Sequence, residues 1–421
     1  MDNLDGMTLP GSWKQAPRGW GNNLHKLAPY LGGYPPALAH YFVSRYSDPG
    51  ATVYDPFSGG GTTVLEALLM GREGIGNDAF PYAYVLSSAK SCPMTPTAFS
   101  TYLKAKLREA ESQPGDLALL DNEDMLVFFH EKTLDELLRL RTVVKDDPSP
   151  EALFLKAVIC GVLHGPSKMF LSLSMKDTTS STTNYVRNYV ATHGLIRPER
   201  GVYASAMNKM ARSTDGGLPD HHGTIHYGDA RATPIRDESV DVIVTSPPYM
   251  SVLDYPWNNW IRLWWLGEDR LASRAKLTST SVEKNYRRFM CDVCRELYRV
   301  LKPNSAAVIV VGDVKKVRPS GEVQFINSAL LIAEEAARAG FEIECIINDT
   351  YKMRNRPFLV FNALKWEYDP SEHAAKSSVP IDRCLVLRKG IVRARDVDAP
   401  WLRTPTGQYA FDIPLTMAAD N

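Results

Sequence analysis

The run Ala51-Thr52-Val53-Tyr54-Asp55-Pro56-Phe57-Ser58-Gly59-Gly60-Gly61-Thr62-Thr63 passes from a short β-prone stretch into consecutive glycines. It continues into Val64-Leu65-Glu66-Ala67-Leu68-Leu69-Met70, whose apolar spacing predicts a helix packed on a sheet. The order is strand, glycine turn, helix. Adjacent glycines let the backbone take φ > 0 and come closer to a ligand than side chains would allow. The amides that open the helix then face a polar or anionic group. In βαβ nucleotide-binding units an acid about 20 residues further on, at the end of the second strand, accepts hydrogen bonds from ribose hydroxyls. Gly74-Ile75-Gly76-Asn77-Asp78 supplies it as Asp78.

A second string ends another predicted strand. Asp241-Val242-Ile243-Val244 is a β-branched run that suits a buried parallel strand, and groups that do chemistry in open α/β sheets sit just beyond the carboxyl ends of such strands. Thr245-Ser246-Pro247-Pro248-Tyr249 follows. Each proline fixes its own φ, and Pro248 restricts Pro247 as well, so the corner holds the Ser246 side chain and the neighbouring carbonyl rigidly as acceptors. Tyr249 offers a π face.

Asp55-Pro56-Phe57-Ser58-Gly59-Gly60-Gly61-Thr62-Thr63 closely resembles the S-adenosylmethionine motif of amino-group DNA methyltransferases, and Thr245-Ser246-Pro247-Pro248-Tyr249 resembles motif IV of the N4-cytosine members. The order of the two motifs matches the classes whose cofactor half comes first. The resemblance implies an α/β fold, a Rossmann-like S-adenosylmethionine-dependent methyltransferase sheet, here interrupted by a largely helical insertion. It implies S-adenosyl-L-methionine as cofactor, held by Tyr30, Asp55, Pro56, Phe57, Ser58, Gly59, Gly61, Thr62, Thr63, Asp78 and Asp229. Asp229 is in Tyr227-Gly228-Asp229-Ala230, which resembles the motif III strand, and Tyr30 is in the segment from His25 to Phe42, which resembles motif X, the helix that closes over the methionine end of the cofactor. A packing aromatic at a helix start is the equal alternative for Tyr30.

The chemistry so implied is methyl transfer to an exocyclic base nitrogen. That amine is a poor nucleophile because its lone pair is delocalised into the ring. Two fixed acceptors on its hydrogens favour a pyramidal nitrogen aimed at the methyl group, which combines positioning with electrostatic preorganisation. Ser246, Pro247, Pro248 and Tyr249 are the expected catalytic set, with Tyr249 stacking on the flipped base. Asp254, Tyr255 and Tyr351 are candidates for the base pocket. Serine at the head of the motif favours cytosine N4; N6-adenine methylation stays open, as do an RNA or protein-glutamine acceptor and a DNA-binding regulator with a dead cofactor pocket. No metal is expected. Of the six cysteines, Cys291 and Cys294 form a C-x-x-C inside a predicted amphipathic helix without a second pair, which reads as packing.

Formal net charge is zero, against the basic footprint usual for a polyanion binder. The balance hides an acidic stretch from Glu109 to Glu151 and a basic one from Lys156 to Arg212. The second contains Thr178 to Tyr189, rich in hydroxyls and aromatics, and reads as DNA-facing or as a solvated polar surface. Lys176, Arg187, Arg354 and Arg356 are the candidate contacts to double-stranded DNA. Whether a cognate restriction endonuclease accompanies the protein is not written in the sequence. No apolar run approaches the ~18 residues of a membrane span, no signal-peptide pattern opens the chain, and a cytoplasmic location is expected.

At 421 residues the chain exceeds one ordinary domain of roughly 100–200 residues. Residues 1–20 read as a loosely ordered leader, 21–90 and 223–390 as the catalytic domain, 91–222 as a helical insertion with a target-recognition role, and 391–421 as a tail. Trp260, Trp264 and Trp265 are expected to be core.

Overall fold

Val242 and Val244 pack on one side of a sheet and Ile243 on the other, and the same alternation runs through Val53 and Tyr54, through Val308 and Ile309, and through Val386 and Leu387. Successive strand residues point to opposite faces, so a strand buried on both sides reads as an unbroken apolar run. The computed structural model describes residues 5–8, 20–113, 124–175, 182–250, 254–277, 280, 282–312, 314–317, 323–350, 381–392 and 394–395. Lys176, Tyr351, Arg354 and Arg356 lie outside these residues.

The strands are β1 (Asp5–Thr8), β2 (Thr52–Asp55), β3 (Glu73–Asp78), β4 (Thr224–Tyr227), β5 (Val240–Thr245), β6 (Leu301–Gly312), β7 (Val314–Val317), β8 (Val323–Ile326), β9 (Glu342–Thr350) and β10 (Ile381–Lys389). Among the described residues, eight of them form one sheet in the order β1-β9-β10-β6-β5-β2-β3-β4, and β7 pairs with β8 in a separate two-stranded ribbon. Strand β10 runs antiparallel to β6 and β9; the other pairings in the large sheet are parallel. Helices cover both faces. Pro36–Tyr46 packs with Val53, Val242 and Val244, while Glu283–Val300 and Ser328–Arg338 pack on the opposite face. This is a doubly wound Rossmann-like sheet.

Within the segment read as a loosely ordered leader, Asp5–Thr8 extends the sheet by pairing in parallel with β9. A four-residue strand at an edge needs neither length nor alternation of its own, because β9 supplies the ladder. The basic stretch is not a continuous surface. Lys156 is buried with its ammonium on the carbonyls of Lys145 and Asp147, both at 2.8 Å, Arg200 reaches the carbonyls of Phe170 and Ser172, and Lys209 donates to Lys26 O at 2.6 Å.

Between Pro81–Ser91 and β4 the chain forms the helices Pro96–Glu111, Glu131–Val144, Pro150–Cys160, Thr183–His193 and Val202–Thr214. They share an apolar core around Phe99, Phe128, Phe129, Leu138 and Phe154. The tryptophan-rich helix Trp260–Leu266 joins that core: Trp265 is buried, Trp260 meets Phe128 edge-on at 5.5 Å, and Trp264 stacks on Phe129 at 6.1 Å. Cys294 is buried in the helix Glu283–Val300 and Cys291 is half-buried on it, both as free thiols. No helix among the described residues is long and apolar enough to cross a membrane.

Candidate active site

The order of strands reverses between β2 and β5: from β2 the sheet grows outward to β3 and β4, from β5 to β6. A crevice opens beyond the carboxyl ends of strands at such a point. The glycine turn leaves β2 there. Gly61 N–H closes it onto Ser58 O at 2.6 Å, and Ser58 N–H reaches across to Asn77 O at 2.9 Å. Asp78, at the end of β3, accepts from Gly59 N–H at 2.8 Å through one oxygen and from Phe80 N–H at 2.9 Å through the other. Burial, opposed by these bonds, raises its pKa to about 6.

Two glycines are needed for different reasons. At Gly59, with φ +48°, a Cβ would come within 3.0 Å of the Tyr30 ring. At Gly61, with φ +74°, it would meet the backbone of Ser87 at 3.0 Å. Gly59 therefore serves the cleft and Gly61 the packing of the helix Pro81–Ser91 under the turn. Behind the turn Glu66 accepts from His25 Nε2 at 2.7 Å and His40 Nδ1 at 2.8 Å. Burial works against its ionisation, but the bonds and charge of the two histidines prevail and hold it at about 2.

Asp55 and Thr63 face inward and not into the cleft. Asp55 is buried and accepts from Thr245 Oγ1 at 2.6 Å and from Phe57 N–H at 3.1 Å, with a pKa raised to about 6 chiefly by burial. Thr63 donates to Val244 O at 2.9 Å and is itself hydrogen-bonded to the Tyr34 hydroxyl. Both tie the turn to β5.

Ser246 follows β5 directly and lines the same cleft as Gly59, together with Pro248 and Tyr249, while Pro247 is buried behind them. Ser246 Oγ lies 3.5 Å from the Tyr249 hydroxyl. The Tyr249 ring passes over Gly312 at the end of β6, where a Cβ would touch it at 3.4 Å.

The open cleft gathers Tyr30, Pro56, Phe57, Ser58, Gly59, Thr62, Asp78, Asp229, Asp254 and Tyr255 from the expected set. Asp229 is bound to Arg231, with the closest approach 2.5 Å, and this hydrogen bond lowers its pKa. Tyr255 lies on the side of the glycine turn: its ring stacks on Tyr30 at 6.2 Å and tilts against Phe80 at 6.3 Å. Asp254 caps the helix Tyr255–Asn258 through Trp257 N–H at 3.1 Å and pairs with Arg274 at 3.5 Å.

Sequence reasoning missed Phe80, Phe289, Arg274, Lys276 and Tyr34 as lining residues. Phe80 is two positions past Asp78 and was within reach of the same motif argument. Phe289 and Lys276 come from helices remote in sequence, with no local signal. Arg187 is exposed on the helix Thr183–His193, away from the cleft, paired with Asp124 at 3.2 Å.

The residues present fit S-adenosylmethionine. The cleft has a backbone cradle that a Cβ at Gly59 would fill, a carboxylate at the end of β3 for ribose hydroxyls, and Phe57, Phe80 and Phe289 as apolar walls for a purine.

The comparisons agree in kind. A family model for DNA methylases of the N6/N4 type matches residues 11–86 and 240–387. The type II methyltransferase M.MvaI of Kocuria varians is 25% identical over 241 residues, 51% of this chain and 50% of its own. The type II methyltransferase M.BsoBI of Geobacillus stearothermophilus is 23% identical over 312 residues, 66% of this chain and 60% of its own. The chain thus spans about half the length of the curated relatives it matches. A crystal structure from Thermus thermophilus, assigned as a DNA modification methylase and complexed with S-adenosyl-L-methionine, is 23% identical over 39% of this chain and 51% of that one, at a TM-score of 0.25. With its glycine turn and its proline corner on one cleft, and a family match over both halves of the sheet, the chain belongs to the N6/N4 DNA methylase family, whose cofactor is S-adenosylmethionine.

Proposed function

We propose that the protein methylates the exocyclic amine of a base flipped out of double-stranded DNA, at N4 of cytosine within a short sequence. One observation carries this reading: the glycine turn after β2 and Ser246 after β5 line one cleft, on adjacent parallel strands.

When bound, S-adenosylmethionine supplies an electrophilic methyl group on a sulfonium. The turn at Ser58 to Gly60 would cradle that cofactor, with Asp78 to accept from its ribose and Phe57 and Phe289 to flank its purine. Ser246 and the Pro247 backbone accept from the amine's hydrogens and orient its lone pair, and Tyr249 stacks on the base. Gly312 gives that ring its place beside the corner. After transfer the amine's proton leaves to water, directly or relayed through the Ser246 hydroxyl, which passes its own proton on. No covalent enzyme adduct is needed, and among the described residues no cysteine lines the cleft.

Serine at the head of Ser246-Pro247-Pro248-Tyr249 favours cytosine N4 over adenine N6. The helical insertion reads as the target-recognition region. Its helix Thr183–His193 buries only Val186 and leaves Tyr185 and Arg187 in solvent. The Arg187–Asp124 pair is an exposed one, weak enough to yield to a phosphate.

The test is methylation of duplex DNA by the purified full chain with labelled cofactor, followed by mass spectrometry of the nucleosides. N4-methylcytosine is the expected product. N6-methyladenine would move the acceptor while keeping the site, and label entering RNA or protein but not DNA would overturn the reading.

A further inference from the structure

Lys90 is a buried cation directly behind the glycine turn, on the side away from the cleft. It sits near the end of the helix Pro81–Ser91, 2% exposed. Its ammonium donates to Gly60 O at 2.5 Å and to His25 O at 3.1 Å. An ammonium has three donors, and both of these acceptors are neutral carbonyls. No described carboxylate forms an ion pair with it; Lys209, of the same sign, acts on it from its place on Lys26 O at 2.6 Å, and Lys90 in turn acts on the His25 ring, which is bonded to Glu66. Burial first and Lys209 second push its pKa down to about 7. A buried charge without a counter-ion is costly, and natural proteins rarely keep one that a neutral side chain could replace.

The cleft explains what the charge faces. Asp78 marks the ribose position, and Phe57 and Phe289 mark the purine end. The end left for the amino-acid part is bounded by Tyr30, Gly32, Gly33, Tyr34, Gly59 and Gly60, none of them charged. The cations that do line the cleft, Arg274 and Lys276, lie beside Asp254 at 3.5 Å and the Tyr227 hydroxyl at 3.2 Å, in exposed pairs. A carboxylate bound at the uncharged end would have the Lys90 ammonium behind the Gly60 carbonyl, acting through one turn of backbone in a medium of low dielectric.

We propose that Lys90 is the positioning residue for the cofactor's carboxylate: its ammonium holds the Gly60 carbonyl from behind and its charge makes the turn prefer a ligand that carries an amino-acid tail. This rests on reading the turn as the S-adenosylmethionine cradle. Lys90 touches no reacting atom and works through the turn and the segment carrying Tyr30.

The experiment is calorimetric binding to the full chain of two ligands that share adenosine and sulfur, S-adenosylhomocysteine with the carboxylate and 5′-methylthioadenosine without it. Wild-type protein is expected to prefer S-adenosylhomocysteine by at least about tenfold. Lys90→Met, which keeps the stem, and Lys90→Gln, which keeps a donor for Gly60, should both lose most of that preference while methylthioadenosine binds as before. Equal weakening of both ligands would make Lys90 a plain staple and overturn the proposal, as would no change in either. The carboxamide of S-adenosylhomocysteine, titrated against wild-type protein, gives an answer even where a variant does not fold: affinity equal to that of the free acid sinks the idea. Wild-type protein that binds none of the three ligands overturns the cofactor reading itself.

Discussion

Thr245 Oγ1 donates a 2.6 Å hydrogen bond to Asp55 Oδ1, so the residue that opens the proline corner is fastened to the residue that opens the glycine turn. The two motifs lie 190 positions apart in sequence and are joined at one buried point. Thr245→Val keeps the shape and removes the donor, leaving a buried carboxylate oxygen short of a partner. A loss of ~1–3 kcal/mol in stability is expected, together with slower turnover as the corner shifts against the turn. Denaturant titration and single-turnover rates measure the two; a variant unchanged in both would mean that the bond joins nothing of consequence.

Ser246 and Tyr249 carry the catalytic assignment. Both are half-buried at the cleft, and the bonds that hold the glycine turn to Asn77 and Asp78 involve neither. Ser246→Ala should therefore lower the methylation rate by at least ~10²-fold, the range for loss of one preorganised polar group, and Tyr249→Ala by roughly 10- to 100-fold, as expected for a lost base–aromatic stack of ~1–3 kcal/mol. Affinity for S-adenosylhomocysteine should stay at the wild-type level. Normal methylation by both variants would remove the corner from the mechanism.

The burial of Asp78 sets a pH limit on cofactor binding. Each carboxylate oxygen already accepts one backbone N–H, and only the ionised form leaves acceptor lone pairs on both oxygens for a pair of ribose hydroxyls and gives them a charge-assisted bond. With a folded pKa of about 6 against an ordinary 3.8, affinity for S-adenosylhomocysteine should fall by up to about tenfold per pH unit below pH 6. The stability of the free protein has the opposite sign. The folded state binds more protons than the unfolded one between about 4 and 6, so the contribution of Asp78 to stability drops as pH rises through that window. Asp78→Asn should flatten the binding profile and remove this part of the melting profile. A wild-type affinity constant from pH 7 to 5 would contradict the role given to the acid.

The parts of this molecule that could be read from its sequence are those in which backbone chemistry is local. Gly59 and Gly61 need positive φ, Pro247 and Pro248 fix theirs, and the β-branched run Asp241 to Val244 can only be a buried strand in such company. The sheet and the two loops that meet on it follow from those residues. Phe289 and Lys90 could not be read, because each reaches the turn or the cleft from a helix whose own pattern says only amphipathic or buried. The basic run misled for a related reason. A charge count does not reveal that Lys156, Arg200 and Lys209 spend their donors on carbonyls inside the fold.

Tyr255 separates two readings of the loop that follows the proline corner. A residue of the base pocket should alter how the protein handles DNA, whereas its ring lies on Tyr30 and Phe80, the aromatic flank of the glycine turn. Aromatic pairs of this kind contribute ~0.5–1.5 kcal/mol beyond buried area, so Tyr255→Ala should weaken S-adenosylhomocysteine binding by roughly threefold to tenfold. Tyr255→Phe, which keeps the ring, should restore it. The KM for DNA should move little at saturating cofactor. If instead the KM for DNA rises while cofactor affinity is untouched, Tyr255 belongs to the base and the loop closes over the substrate from the other side.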